Sequence, residues 1–155
     1  MQTKPSPLKL TTEIKSLIAG AFDSGNVLVL GTVSQDQKPL LSFRGSTAVF
    51  DDERLSFWIR NNQGGTIEAI RNNPQVAMMY RSSTVPMLQF SGRARIAQSP
   101  GERDRVFGLA HQKEQAQDPE RKGVAVIVEL DKIYGVLGFG KDGPIWCSME
   151  RAQKT

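Results

Sequence analysis

The sequence is poor in the residues that staple, ligate or span. It holds one cysteine, Cys147, and one histidine, His111, in 155 residues. A lone cysteine excludes an internal disulfide. A lone histidine in a polar stretch lacks both the partners of a zinc site and those of a catalytic triad, so no metal is expected and His111 is expected at an exposed helix position. No apolar run approaches the ~20 residues of a membrane helix. Met1–Leu10 has no apolar core of signal-peptide length. A reducing, cytoplasmic setting is expected, without membrane attachment. Charge of one sign is also scarce in excess: Lys+Arg 20 against Asp+Glu 16 leaves a net +4. The basic residues are scattered, which excludes a nucleic-acid-binding arm. The modest excess suits an anionic ligand and equally serves solubility.

What is present fits one domain. Met1–Leu10 reads as a flexible arm, and 11–155 as the domain. Thr11 or Thr12 can cap a helix whose face carries Ile14, Leu17, Ile18 and Phe22, stopped at Ser24-Gly25-Asn26. Strands are expected at Val27–Val33, Pro39–Phe50 and Leu55–Arg60, joined by polar turns. Thr66 can cap a short helix that runs to Arg71 and ends at Asn72-Asn73-Pro74. Strands follow at Val76–Arg81 and Met87–Ala97, with Gly92 at a bulge. A helix near Pro100 takes Val106, Leu109 and Ala110 as its apolar positions. Gln112–Lys122 reads as loop or frayed helix, Gly123–Gly138 as a long strand, and Ile145–Met149 as its short hairpin partner. The expected fold is mainly β: a six- to seven-stranded antiparallel split barrel with short peripheral helices.

Two segments could carry chemistry. In Phe57–Thr66 a strand ends, the chain turns through Gly64 and Gly65, and a helix begins. Amides at a helix N-terminus lack intrahelical acceptors and favour an anion. Gly64 and Gly65 let backbone approach a phosphate, Thr66 adds a hydroxyl and Arg60 a planar donor fork. An ordinary strand-to-helix loop, with glycine supplying positive φ, explains the same residues. In Ser42–Thr47, Ser42, Arg44 and Ser46 share one strand face. That face is either the polar wall of a ligand site or a solvated outer face.

With these residues in order, the chain resembles the pyridoxamine 5′-phosphate oxidase-like family of FMN-binding split barrels. The resemblance rests on Phe43–Thr47, Leu55–Arg60, Ile70–Ala77 and Leu88–Ala94. It implies a homodimer with FMN at the subunit interface and a small molecule as substrate or electron donor. It assigns flavin contacts to Arg44, Gly45, Ser46 and Thr47, and flavin and phosphate contacts to Trp58, Ile59, Arg60, Gly64, Gly65 and Thr66. It suggests that Gln89 reaches the flavin from the facing subunit. The oxidases carry Ser-Arg-Lys at the start of the short helix, where this chain has Gly64-Gly65-Thr66, so Arg60 and Arg44 would supply the missing charge. The C-terminal Gly143–Ser148 also lacks the arginine and histidine with which the oxidases hold their substrate. Pyridoxamine phosphate oxidase activity itself is therefore not expected.

Trp146 could stack on a neighbouring subunit's flavin, or serve as an interface or core tryptophan. Gly138–Gly143 spells a dinucleotide fingerprint, but Pro144 follows where a helix should begin, so it reads as a glycine-rich turn. Cys147 reads as a buried apolar residue. No side chain is an evident acid or base, and the catalytic residues stay unassigned. The leading expectation is an FMN-dependent oxidoreductase. The alternatives are a non-catalytic flavin carrier or sensor, or a binder of F420 or of haem, for which His111 would be the available histidine ligand.

Overall fold

The computed structural model describes residues 4–152. Met1–Thr3, part of the expected flexible arm, lie outside the described residues. In chain order the elements are β1 (Ser6–Pro7), α1 (Thr12–Ala19), β2 (Leu28–Val33), β3 (Pro39–Arg44), β4 (Ala48–Val49), β5 (Arg54–Ile59) and α2 (Gly65–Asn72). There follow β6 (Gln75–Arg81), β7 (Met87–Ile96), α3 (Pro100–Leu109), α4 (Gln112–Gln115), β8 (Val124–Gly140) and β9 (Gly143–Glu150). The strands form one nine-stranded sheet ordered β1-β9-β8-β7-β6-β2-β3, with β5 branching from β8 and carrying β4. This is a split barrel with short helices.

The split lies in β8. Its first half, Val124–Glu129, pairs with β5, and its second half, Lys132–Gly140, pairs with β9. β7 runs along both halves. At the branch point Leu130 donates its N–H to Glu53 O at 3.1 Å, while its carbonyl accepts from Arg151 Nε at 2.8 Å. The β7 register shifts at Ser91/Gly92, opposite this fork. The expected bulge at Gly92 is therefore present, and glycine is needed there. A Cβ on Gly92 would run into the Glu129 carbonyl and sit 2.9 Å from its carbon.

Alternation along the strands places Leu28, Leu30, Met78, Leu88, Phe90 and Ile133 inside the barrel, all essentially inaccessible. Thr11 caps α1 by accepting from Ile14 N–H at 3.2 Å, and Ile14 and Ile18 close one end of the core. Ser99 caps α3 in the same way and Pro100 starts it. α3 covers a second cluster containing Phe50, Trp58, Val106, Phe107 and Ile127.

Four expectations need correction. The arm is not free along its described length: Ser6–Pro7 pairs with β9, and Leu8 and Leu10 are buried because β1 and α1 lay them on the core. Pro39–Phe50 is not one strand, because the chain turns at Gly45–Thr47 before β4 resumes. Leu109 does not pack; Phe107 takes that place and Leu109 stays exposed. Thr66 does not cap α2, since the N-cap is Gly64 and no side chain bonds to it. The expected turn at Gly138–Gly143 narrows to Lys141-Asp142: Gly138–Gly140 end β8 and Gly143, at φ 113°, starts β9. Among the described residues, no helix is long and apolar enough to cross a membrane.

Candidate functional site

The end of β3, the end of β5 and the start of α2 meet in a cleft of about 610 Å³. Its walls are Arg44, Ile59, Arg60, Asn61, Gly64, Gly65 and Thr66. Ser42 and Arg44 pair with Leu30 and Leu28, so they occupy the barrel-side row of β3. Leu41 and Phe43 point outward and are 79% and 75% exposed. The polar row of this strand is thus not its solvated face, and the apolar row is.

Arg44 reaches along that row. Its Nε donates to Ser42 Oγ at 3.2 Å and its Nη2 donates to Thr66 Oγ1 at 2.9 Å. Half-burial lowers its pKa from the ordinary arginine value; Glu114 opposes that shift and Arg60 adds to it. Arginine stays charged through such shifts. Arg60 lies exposed at the rim and donates to Gln117 Oε1 at 3.3 Å. Among the described residues neither guanidinium has a carboxylate within 4.0 Å. Beside them α2 begins without a side-chain cap, so its first amides remain available. Neither Gly64 nor Gly65 has positive φ. Gly65 faces open space, where a side chain would intrude into the cleft. The glycines therefore provide room, not an unusual backbone angle.

Six of the twelve expected site residues come together here: Arg44, Ile59, Arg60, Gly64, Gly65 and Thr66. Gly45 and Thr47 lie in the adjoining turn, where Thr47 spends its hydroxyl on Arg44 O at 2.7 Å. Ser46 faces inward and is buried. Its hydroxyl accepts from Trp58 N–H at 2.8 Å and donates to Trp58 O at 3.0 Å. In the β4–β5 register Ser46 stands opposite Trp58, so this one hydroxyl replaces both backbone bonds of the next rung. Trp58 is also turned away from the cleft. Its Nε1 donates to Asp118 Oδ2 at 2.8 Å, and its ring meets Phe107 edge-on at 5.0 Å.

Gln89 and Trp146 lie elsewhere, on the outer sheet face. Gln89 pairs with Met79 and Tyr134, and Trp146 stacks on Tyr134 at 5.7 Å. They stand on the side of the sheet opposite to the row that carries Arg44. Sequence reasoning missed Asn61, Glu114 and Gln117. Asn61 lies within the Phe57–Thr66 segment, but nothing in 112–117 signals that it approaches residues about 57 to 70 positions earlier. His111 is not a bare surface residue. Its Nδ1 accepts from Lys113 N–H at 3.1 Å, its Nε2 meets Asp23 Oδ1 at 2.8 Å, and its ring stacks on Phe22. Cys147 is buried, which together with Glu13 raises its thiol pKa.

The profile of the pyridoxamine 5′-phosphate oxidase family matches residues 10–134, from just before α1 into the second half of β8. The chain belongs to this family. No curated protein matches the sequence. Solved structures share its fold at low identity. HupZ of Group A Streptococcus is 19% identical, with 81% of this chain and 92% of that one covered and a TM-score of 0.62. General Stress Protein 26 from Bacillus anthracis is 22% identical, with 89% and 100% covered and a TM-score of 0.62. A Clostridium acetobutylicum protein related to general stress protein 26 is 10% identical, with 86% and 95% covered and a TM-score of 0.60. At these identities the family likeness extends to fold, and the site must be argued from its own residues.

Proposed function

We propose that the protein binds flavin mononucleotide as a homodimer and works as an FMN-dependent oxidoreductase on a small molecule other than pyridoxamine phosphate. The observation that carries this reading is the pairing state of the cleft. Arg44 and Arg60 lack carboxylate partners and flank an uncapped helix N-terminus, a donor set suited to a phosphate. Family membership makes the phosphate of FMN the natural occupant. A bound flavin would supply hydride or electron transfer; the chain's own part is to hold and orient it. Arg44, Arg60, Thr66 and the amides of Gly65 and Thr66 would hold the phosphate, and the Gly45–Thr47 turn would lie along the ring.

The outer face supports dimerisation. Phe43, Val29, Met79, Gln89 and Tyr134 form one cross-strand row over five strands. With Leu41 and Trp146 this makes a broad apolar surface. Gln89 and Trp146 cannot turn to their own chain's cleft through the sheet, so a second copy is what would bring them to a flavin.

No side chain on the cleft wall is an acid or base near neutral pH. This favours chemistry run by the cofactor, and it also keeps a non-catalytic flavin carrier as the second reading. Haem is disfavoured because both ring nitrogens of His111 are already engaged. Titration with FMN, followed by quenching of flavin fluorescence, tests the binding, and the absorption spectrum of the purified protein separates FMN from F420 and haem. Saturable binding at one FMN per chain is expected. Absence of binding, or a monomer at every concentration, would overturn the reading. Stopped-flow mixing with NADH or NADPH then divides enzyme from carrier: flavin bleaching at turnover rates supports the first, and an inert flavin the second.

A further inference from the structure

The segment 111–122 reaches both arginines of the cleft. Its start is fastened by His111, through Lys113 N–H, Asp23 and the face of Phe22. Its end is fastened by Asp118, which accepts from Trp58 Nε1 at 2.8 Å, Gly123 N–H at 2.8 Å and Lys122 N–H at 3.0 Å. Between these anchors Gln117 accepts from Arg60. Glu114 lays its carboxylate over Gly45, next to Arg44. A Cβ on Gly45 would collide with Glu114 Oε1 and lie 3.1 Å from its carboxyl carbon. Glycine at 45 thus makes room for a carboxylate carried on a segment whose two ends are anchored.

That carboxylate is uncommitted. Among the described residues Glu114 has no ion pair within 4.0 Å and its side chain makes no hydrogen bond. A negative charge over Gly45, beside the unpaired Arg44 guanidinium, serves neither the packing of the core nor a salt bridge. Such a charge lowers the positive potential that an incoming anion meets, at an energetic cost to the anion that grows with the anion's charge.

We propose that Glu114 is the specificity-setting charge of this cleft, weakening its hold on bare or multiply charged anions so that retention depends on the flat ring attached to a single phosphate. The inference rests on the Arg44–Arg60 cleft being a phosphate site. Glu114 is a positioning residue in this scheme: it acts through Arg44 and touches no reacting atom.

The test compares the wild-type protein with Glu114→Gln, which keeps the shape over Gly45 and removes the charge. Isothermal titration uses inorganic phosphate, pyrophosphate, FMN and riboflavin. Glu114→Gln should bind phosphate about tenfold tighter, the order expected for one partly screened unit charge. The gain should be larger for pyrophosphate, present for FMN and absent for riboflavin. The converse variant, Gln117→Glu, should weaken phosphate by a similar factor. A merely structural role would move riboflavin and the melting temperature together with phosphate. Unchanged or weaker phosphate binding by Glu114→Gln, or no phosphate binding by either protein, overturns the inference. If phosphate tightens and neither protein binds FMN, the flavin reading fails and the role of Glu114 stands. If both bind FMN equally and phosphate affinity is unchanged, the reverse holds.

Discussion

Two charged hollows of similar size lie at opposite ends of β5. One is the fork where β8 divides, about 760 Å³, lined by Asp51, Glu53, Glu129, Asp131 and Glu150 against Arg54, Arg93, Lys132 and Arg151. The other is the Arg44–Thr66 cleft, about 610 Å³. In the fork every cation has a carboxylate. Arg93 meets Asp131 at 3.1 Å, Arg151 meets Glu53 at 3.2 Å, Arg54 meets Asp51 at 2.6 Å and Lys132 meets Glu150 at 3.5 Å. In the cleft, among the described residues, neither cation has one within 4.0 Å, although Glu114 lies near Arg44. Size and charge count would rank the fork first as a binding site. Pairing reverses the order, because a guanidinium already neutralised offers an anion little, while an unpaired one beside free amides offers both charge and geometry. The fork is built to hold two branches of a sheet together, and the cleft is left unsatisfied.

The contrast can be broken most forcefully at Gly92. Gly92→Val should cost more than about 3 kcal/mol in urea unfolding, because the added side chain meets the Glu129 backbone, which cannot step aside without opening the fork. Next in size is Arg44→Ala. It should weaken FMN by about 2–3 kcal/mol, roughly 30- to 150-fold, as expected for losing a charge-assisted contact to phosphate, with much less effect on unfolding. Equal FMN affinity in this variant would place the phosphate elsewhere.

Acid separates the two hollows more gently. For Asp51, desolvation alone would raise the pKa, but hydrogen bonds from Arg54 and Glu53 N–H and the Arg54 charge outweigh it and hold the carboxyl below its usual range. A carboxyl depressed in the folded state binds its proton more readily once unfolded. Its contribution is therefore complete above the ordinary carboxylate pKa of about 4 and is lost as the pH falls through the lower folded value. Urea midpoints measured from pH 6 down to pH 2.5 should fall in that acid window, and Asp51→Asn should flatten the fall. The smallest effect is expected from Arg93→Ala. Its ion pair is 44% and 38% exposed, so the loss should stay below about 1 kcal/mol, and FMN affinity should not change. A clear drop in FMN affinity there would make the fork part of the site.

Local signals carried far in this chain. Thr11 and Pro100 announced helix starts, Gly92 announced the bulge, and the run Arg60–Thr66 announced a strand-to-helix corner. The misreadings share a cause. Alternation groups Ser46 with Ser42 and Arg44, and resemblance assigns Trp58 to the flavin, but neither signal says what else in the fold claims the side chain. The hydroxyl instead completes a sheet rung, and the indole is claimed by Asp118. Glu114 and Gln117 were invisible as site residues because their relation to Arg44 and Arg60 is made by the path of the chain around α3.

By itself the sequence determined most of the elements, the antiparallel order of the main strands and the corner where backbone amides and guanidinium groups gather, since capping, alternation and glycine placement act over a few residues. It did not determine the short β1 that runs parallel to β9. Only the tertiary structure decided which of the many arginines remain unpaired, which face of β3 is wet and what leans over Gly45. Those outcomes depend on contacts between segments far apart along the chain, and Coulomb and packing energies depend on distance in space.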